Sequence, residues 1–526
     1  MSFITHSLKL LGKASSSPEE ARLRKEAKED PFAEVSLFAR EPIDFDLITQ
    51  MTHMSGVATS GLSRDKLFEG TADLDYSTSK YFRRVHRVAR RLNYDYSRAC
   101  EVVAEQVKRD SIQNLLLHFA TALSAGEPEA AFLERETEVQ LELYGKKYER
   151  DMESLKKWTD AYVALMVSTT LIVVITLVSM MIYPFGLAAI FGLAAIVMIA
   201  TVAGAWVIFA VSPHEVKTHR LARGSSEQRQ MDALAPILVV VAGAALAGLW
   251  MVVNLGVALI VAALVISPIG YLAWLDDRKV DRRDRDLAVF LRSLGSVMGA
   301  SSTTVAEGLA RMNRKALGAM EPHVHRLYVR LSNDISPDLT WLRLCAESGS
   351  ELVTRAVRIF WDGIRVGGEP GVVGKLASEF AQKVSLLRQT RSLVANTFMF
   401  VVVPMHAALL AILLFVTQVM RIFGEQLASV QDQNLSSDIV RQAGVQGFIA
   451  FAKPDFGLIS VFVTTAIMLL TIANSFAPYA ASGGHKFKFF AFCSVMMLMS
   501  GIALLTVPGI VEGLFTKVSA APPGVQ

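Results

Sequence analysis

The stretch Ser111–Pro128, SIQNLLLHFATALSAGEP, decides the fold. Ile112, Leu115, Leu116, Phe119 and Leu123 recur every three or four residues, the spacing of one apolar helix face. Ala125-Gly126-Glu127-Pro128 closes that helix, because glycine takes the left-handed conformation that ends helices and proline suits the first turn of the next. From Phe132 the chain is dense in Glu, Lys and Arg, while Tyr144, Tyr148, Met152, Leu155 and Trp158 keep helical spacing. Nothing breaks this second helix before the uncharged run that starts at Ala161. One long helix is therefore expected to pass from solvent into lipid, with Tyr144, Trp158 and Tyr162 near the interface that polar-tipped aromatic rings favour.

The arrangement returns. Leu352 to Val366 is amphipathic, Gly367-Gly368-Glu369-Pro370 closes it, and a helix then leads to an apolar run beginning near Leu393. Leu67 and Leu309, Arg84 and Arg326, Ala104-Glu105 and Ala346-Glu347, and Gly126-Glu127-Pro128 and Gly368-Glu369-Pro370 all stand 242 residues apart, an ungapped register. The pattern implies two copies of a helical bundle, each standing on a membrane helix. No segment carries a strand signal, so the fold class is all-α.

The 526 residues are 52% hydrophobic yet hold 53 basic and 49 acidic side chains, so charge must be segregated from apolar runs. Ala161–Val211 and Ala233–Leu275 contain no Asp, Glu, Lys or Arg, and each is long enough for two crossings, with breaks at Tyr183-Pro184 and near Asn254. Single crossings follow near Leu393–Met420, Phe456–Tyr479 and Phe489–Val511, making about seven transmembrane helices. Basic residues collect in the N-terminal region, in the connector with Lys217, Arg220, Arg223 and Arg229, and in Asp276–Arg391, which places all three in the cytoplasm and the C-terminus outside.

The expected organisation is a polar lead (1–44), a first cytoplasmic bundle (45–160), and four spans with a cytoplasmic connector (161–275). A second bundle (276–392), three spans with an outer loop at 421–455 (393–511) and a tail (512–526) complete it. Met1–Lys13 lacks the apolar core of a cleavable signal and reads instead as a short amphipathic helix, lying on the membrane or packed on the first bundle. Cys100, Cys345 and Cys493 are isolated and read as small buried hydrophobes.

Motifs for chemistry are scarce. His323-Val324-His325 places its two imidazoles on different sides of a helix, which disfavours a metal pair. Gly374-Lys375 resembles the end of a phosphate loop but has Glu369 where a glycine is needed and Leu376 where Ser or Thr is needed. No catalytic, cofactor or metal residue is assigned. Among the spans, His406, Asn396, Gln418 and Asn474 are polar, and with no carboxylate to receive a proton a packing or hinge role is favoured over transport.

What remains is surface. Arg83, Arg84, Arg87, Arg90 and Arg91 form a cationic helix face opposite Phe82, Val85, Val88, Ala89 and Leu92, with a weaker echo at Arg326 and Arg330. It suits an anionic headgroup, a nucleic acid or an acidic protein patch, against the plain reading of a solvated face. Glu127 and Glu369, beside Gly126 and Gly368, serve either as caps of the following helices or as contacts.

A duplicated bundle with Gly-Glu-Pro turns, each copy followed by membrane helices, resembles the type II secretion system protein F family, the membrane platform proteins of type IV pili. The stretch Phe45–Arg64, FDLITQMTHMSGVATSGLSR, is most similar to its archaeal branch of archaellum and adhesive-pilus platforms, as is the large number of spans. The resemblance covers the chain from about Phe45 to the last span. It implies a protein without a catalytic site, on which a cytoplasmic hexameric ATPase docks and which passes motion to pilin-like or archaellin subunits; a homodimer in the cell membrane is expected, without nucleic acid. The arginine face, Glu127, Glu369 and their neighbours would then contribute to ATPase contact. A transporter or channel is the alternative, and it would need a polar path through the spans.

Overall fold

A computed structural model describes residues 43–182, 187–213, 215–219, 224–432 and 456–519. The expectations for the polar lead, most of the outer loop and the end of the tail lie outside these residues. The first copy comprises α1 (Ile43–Ala58), α2 (Arg64–Ala72), α3 (Ser79–Leu92), α4 (Tyr96–Ala104), α5 (Asp110–Ser124) and α6 (Glu129–Ile182). Next come α7 (Leu187–Val211), α8 (Ser226–Val252) and α9 (Leu255–Ser301). The second copy adds α10 (Val305–Arg311), a 3-10 turn (Arg314–Met320), α11 (Glu321–Ser332), α12 (Pro337–Ser348), α13 (Glu351–Arg365) and α14 (Pro370–Asp432), and α15 (Phe456–Ser482) and α16 (Lys488–Ser519) complete the chain. Among the described residues the extended backbone amounts to an isolated bridge, Thr218 to Ser350. The protein is all-α and polytopic.

Six of these helices, α6, α8, α9, α14, α15 and α16, are long and apolar enough to cross a membrane. The remaining expected span falls on α7, of which Ala195–Val211 is a shorter apolar helix. The break near Asn254 is as expected: its side chain accepts from Val257 N at 2.8 Å and caps α9.

Three helices ignore the boundary between bundle and span. α6, α9 and α14 run unbroken for 54, 47 and 63 residues, about 80, 70 and 95 Å at 1.5 Å per residue. For α6 the sequence foretells this. For α9 the change of composition at Asp276 suggests a domain edge, but the helix continues because no proline follows Pro268 before Ser301.

The repeat is present, in a register different from the expected one. α2, α4, α5 and α6 start at 64, 96, 110 and 129, and α10, α12, α13 and α14 start at 305, 337, 351 and 370, an offset of 241. The left-handed residues Gly61, Asn93 and Gly126 recur at the same offset as Ser302, Asp334 and Gly367. Only α3 and α11 follow 242, with buried Phe82 and Val85 matched by Val324 and Leu327. One residue of slip turns a helix face by about 100°, and burial selects the face: Phe119 and Phe360, 241 apart, are both fully buried. The Gly-Glu-Pro strings are therefore not superimposable. Phe132 N donates to Pro128 O, making Pro128 the N-cap of α6, whereas Val373 N donates to Glu369 O, making Glu369 the N-cap and Pro370 the first helical residue of α14.

α1 runs through Gly56, where a Cβ would meet Ile359 of α13 and Val373 of α14 at ordinary contact distances of 3.8 and 3.9 Å. Of the three aromatic residues expected near the membrane interface, Tyr144 and Tyr162 are buried within the protein, Tyr144 at 6.4 Å from the Phe45 ring, and Trp158 is exposed.

Gly374, which resembles part of a phosphate loop, belongs to a helix crossing. A Cβ on it would lie 2.8 Å from Gly295 Cα and 2.9 Å from Leu291 O, so α9 and α14 touch backbone to backbone. Gly374→Leu should therefore destabilise the protein by about 3 kcal/mol, the upper end of overpacking costs, read as a fall in melting temperature in detergent. Gly371→Ala, with nothing within 4 Å, should leave it unchanged.

Candidate functional site

α1, the segment on which the family resemblance rests, has every residue except Asp44 buried. It packs on α6 of its own copy and in the groove between α13 and α14 of the other. The joint is centred on Arg355 of α13, 5% exposed, and Asp46 of α1, 4% exposed. Arg355 Nη1 lies 2.7 Å from Asp46 Oδ1 and donates to Thr49 Oγ1 at 3.0 Å, while Nε reaches Glu351 at 2.8 Å. The rings of Phe45 and Tyr76 stand 4.3 and 4.8 Å from its guanidinium carbon. Asp46 also accepts from Ser77 N at 2.9 Å and Ser77 Oγ at 2.5 Å. One turn along from Gly56's contact, His53 Nε2 meets Asp362 Oδ2 at 3.0 Å. Burial raises the Asp362 carboxyl, but the bond to His53 and the charges of His53, Arg358 and Arg365 outweigh it and hold the group below its usual range.

Below the joint, where the bundles meet the apolar runs, a second set of buried charges ties five segments together. Arg388 of α14 reaches Asp284 of α9 at 2.6 Å and Glu215 of the α7–α8 connector at 3.3 Å, and donates to Val216 O at 3.2 Å. Arg391, one turn on, spends its guanidinium on carbonyls: Ala481 O at 2.9 Å, Pro213 O at 3.0 Å and Ala480 O at 3.2 Å. Lys217 of the connector pairs with Asp277 at 2.6 Å and Asp281 at 2.7 Å, and Lys488 of α16 reaches Asp277 at 2.8 Å. Ser225 and Gln228 form a capping box at the start of α8, and both also donate to buried Asp276, at 2.8 and 2.9 Å. The connector is stitched to the α12–α13 turn by Glu351 N to Lys217 O at 2.9 Å.

Deep in the spans, polar groups satisfy one another. His406 of α14 meets Ser500 of α16 and Asn474 of α15, each at 3.0 Å, Thr471 meets Ser500 at 2.7 Å, and Tyr162 of α6 donates to Asn474 Oδ1 at 2.9 Å. Four helices are linked by this one network, the arrangement of interhelical glue.

The surface residues singled out in the sequence fall in separate places. On α3, Arg83 donates to Ala72 O at 2.8 Å, Arg84 to Gln106 Oε1 at 2.5 Å, and Arg90 pairs with Asp65. Arg87 and Arg91 are exposed, and their side chains make no ion pair or hydrogen bond among the described residues. In the second copy Arg326 and Arg330 both pair with Glu347, the former at 2.8 Å. Glu127 caps no helix; it reaches forward to Arg135 at 2.8 Å. Glu369 is exposed and serves as N-cap through its backbone. Gly126 is exposed with φ +71, whereas Gly368 is buried, and a Cβ on it would lie 2.7 Å from Thr59 Oγ1. No ion pair or hydrogen bond among the described residues joins the α3 group to the α11 group. Sequence reading missed Arg355, Arg388 and Arg391. Asp277, Asp281 and Asp284, three or four apart on α9, opposite basic residues three apart on α14, were the available signal.

Two outcomes follow. Arg355→Met should destabilise by about 3–5 kcal/mol by stranding Asp46, and adding Asp46→Asn should recover part of that loss in melting temperature. At Asp277, burial raises the carboxyl's pKa but Lys488 and Lys217 prevail and lower it. A depressed folded pKa stabilises fully above the unfolded value of about 3.9 and is lost as pH falls through the folded value. Melting temperature should therefore drop as pH is lowered from about 4, and Lys488→Met should flatten that drop.

Comparison with known proteins finds two relatives. "Flagella accessory protein J" of Methanocaldococcus jannaschii is 23% identical over 426 residues, covering 78% of this chain and 74% of that protein. "Flagella accessory protein J" of Methanococcus voltae is 21% identical over 453 residues, covering 81% and 77%. No family model and no solved structure matches.

Proposed function

We infer that this chain, a relative of the flagella accessory J proteins of archaea, is the membrane platform of an archaeal filament machine. Its two bundles face the cytoplasm and receive a hexameric ATPase, its C-terminus lies outside, and its membrane helices pass the motion of the ATPase to pilin-like subunits. The names of both relatives favour the archaellum over an adhesive pilus. The supporting observation is the buried joint at Arg355 and Asp46, because it locks the two copies into one body whose helices α6, α9 and α14 continue unbroken into the apolar runs. A load applied to either bundle then moves the membrane helices with it. The transporter reading has less support, since the polar groups at His406 are spent on one another.

For docking, Arg87 and Arg91 are the members of the α3 face with charge to spare. Arg87→Glu with Arg91→Glu should abolish or strongly weaken co-purification of the ATPase while leaving the melting temperature unchanged. Unchanged co-purification removes α3 from the docking surface. A deletion strain scored for both swimming and surface attachment tests the wider reading: loss of swimming with attachment intact is expected.

A further inference from the structure

Between the first turn of α8 and the flank of α9, against α11 and α12, lies an open cavity of about 580 Å³. Arg229, Lys279, Arg282, Arg283 and Arg326 stand in its wall with Glu227 and Glu347. Both carboxylates are already engaged, Glu227 by Lys279 at 2.5 Å and Glu347 by Arg326 and Arg330. Asp276, buried behind Ser225 and Gln228, offsets part of the charge of Arg283. The side chains of Arg229 and Arg282 have neither ion pair nor hydrogen bond among the described residues. Arg283 gives one N–H to Ser348 O at 2.6 Å and sits where burial disfavours its charge. Among the described residues the wall thus keeps a cationic excess that is not neutralised, and guanidinium forks at the start of a long helix match the oxygens of a phosphate.

The cavity also has a defined level. On α9, Tyr271 and Trp274 are exposed, and Arg278 lies 3.5 Å over the Trp274 ring, the aromatic and basic marks of a membrane interface. Lys279 and Arg282 lie about 8 and 12 Å further along the axis at 1.5 Å per residue. The inner edge of the cavity therefore meets the headgroup layer, about 5–8 Å deep on each side of the hydrocarbon.

We propose that this cavity binds a phosphate ester, held by Arg229, Arg282 and Arg283 beside the first turn of α8, with an anionic lipid headgroup or a soluble phosphorylated molecule as its source. Native mass spectrometry of the full chain released from detergent tests it, using phosphatidylglycerol, phosphatidylcholine and inorganic pyrophosphate as probes. Phosphatidylglycerol should be retained over phosphatidylcholine, and R229Q/R282Q/R283Q should cut that retention by about tenfold or more. R87Q/R91Q/R98Q, with the same change in charge on α3 and α4, should retain it as the unaltered protein does. The exposed single variant R282E, with an unchanged melting temperature, should also lose retention. Arginine-dependent retention of pyrophosphate without phosphatidylglycerol assigns the site to a soluble ligand. Retention of neither probe, or equal loss in the α3 and α4 control, overturns the proposal.

Discussion

A guanidinium removed from water must be compensated where it lies, and Arg355 sets that condition at the centre of this protein. Its partners come from three places: Glu351 on its own helix, Asp46, Thr49 and the Phe45 ring on α1, and the Tyr76 ring between α2 and α3. Withdrawing α1, and Asp46 with it, would take away the guanidinium's buried partner on the other copy, a loss of several kcal/mol. α1 is thereby committed to the groove of the other copy, and with it Gly56 to Ile359 and His53 to Asp362. Such a pair is weak evidence for net stability, since a well-packed apolar replacement often does as well. What it supplies is a single admissible register between the copies.

The same logic recurs nearer the apolar runs with a different kind of partner. Arg388 is held by carboxylates, but Arg391 is held by the carbonyls of Pro213, Ala480 and Ala481. Carbonyls at the end of α15 have no intrahelical partner, so a cation there completes two deficits at once. These contacts gather the connector, α9, α14 and the α15–α16 turn at one level.

Much of the architecture is legible in the sequence because it rests on patterns within one segment. The apolar runs, the amphipathic α5 and α13, the helix that becomes α6, and the duplication all follow from spacing and composition. The register of the duplication is not, because identical strings mark shared ancestry while burial fixes which face points inward, and only the packed chain shows Phe119 and Phe360 in the same role. Arg355 is hidden for a related reason: nothing in ELVTRAVRIFW tells which arginine faces the core and which the solvent until α1, 306 residues before Arg355 at Thr49, is in place. The arginine face of α3 is visible in the sequence as a cluster, but its division into engaged and free members depends on Asp65, Ala72 and Gln106 from neighbouring segments.

The contact of Gly295 with Gly374 has a mechanical consequence. Where helices meet through long side chains, each rotatable bond is a soft spring, and a small displacement of one helix is absorbed by rotamer shifts before the other feels it. At this crossing no side chain intervenes, and the atoms in contact belong to two hydrogen-bonded backbones. The crossing has almost no backlash: α9 and α14 cannot approach further, and compression applied to one is delivered to the other at full stroke.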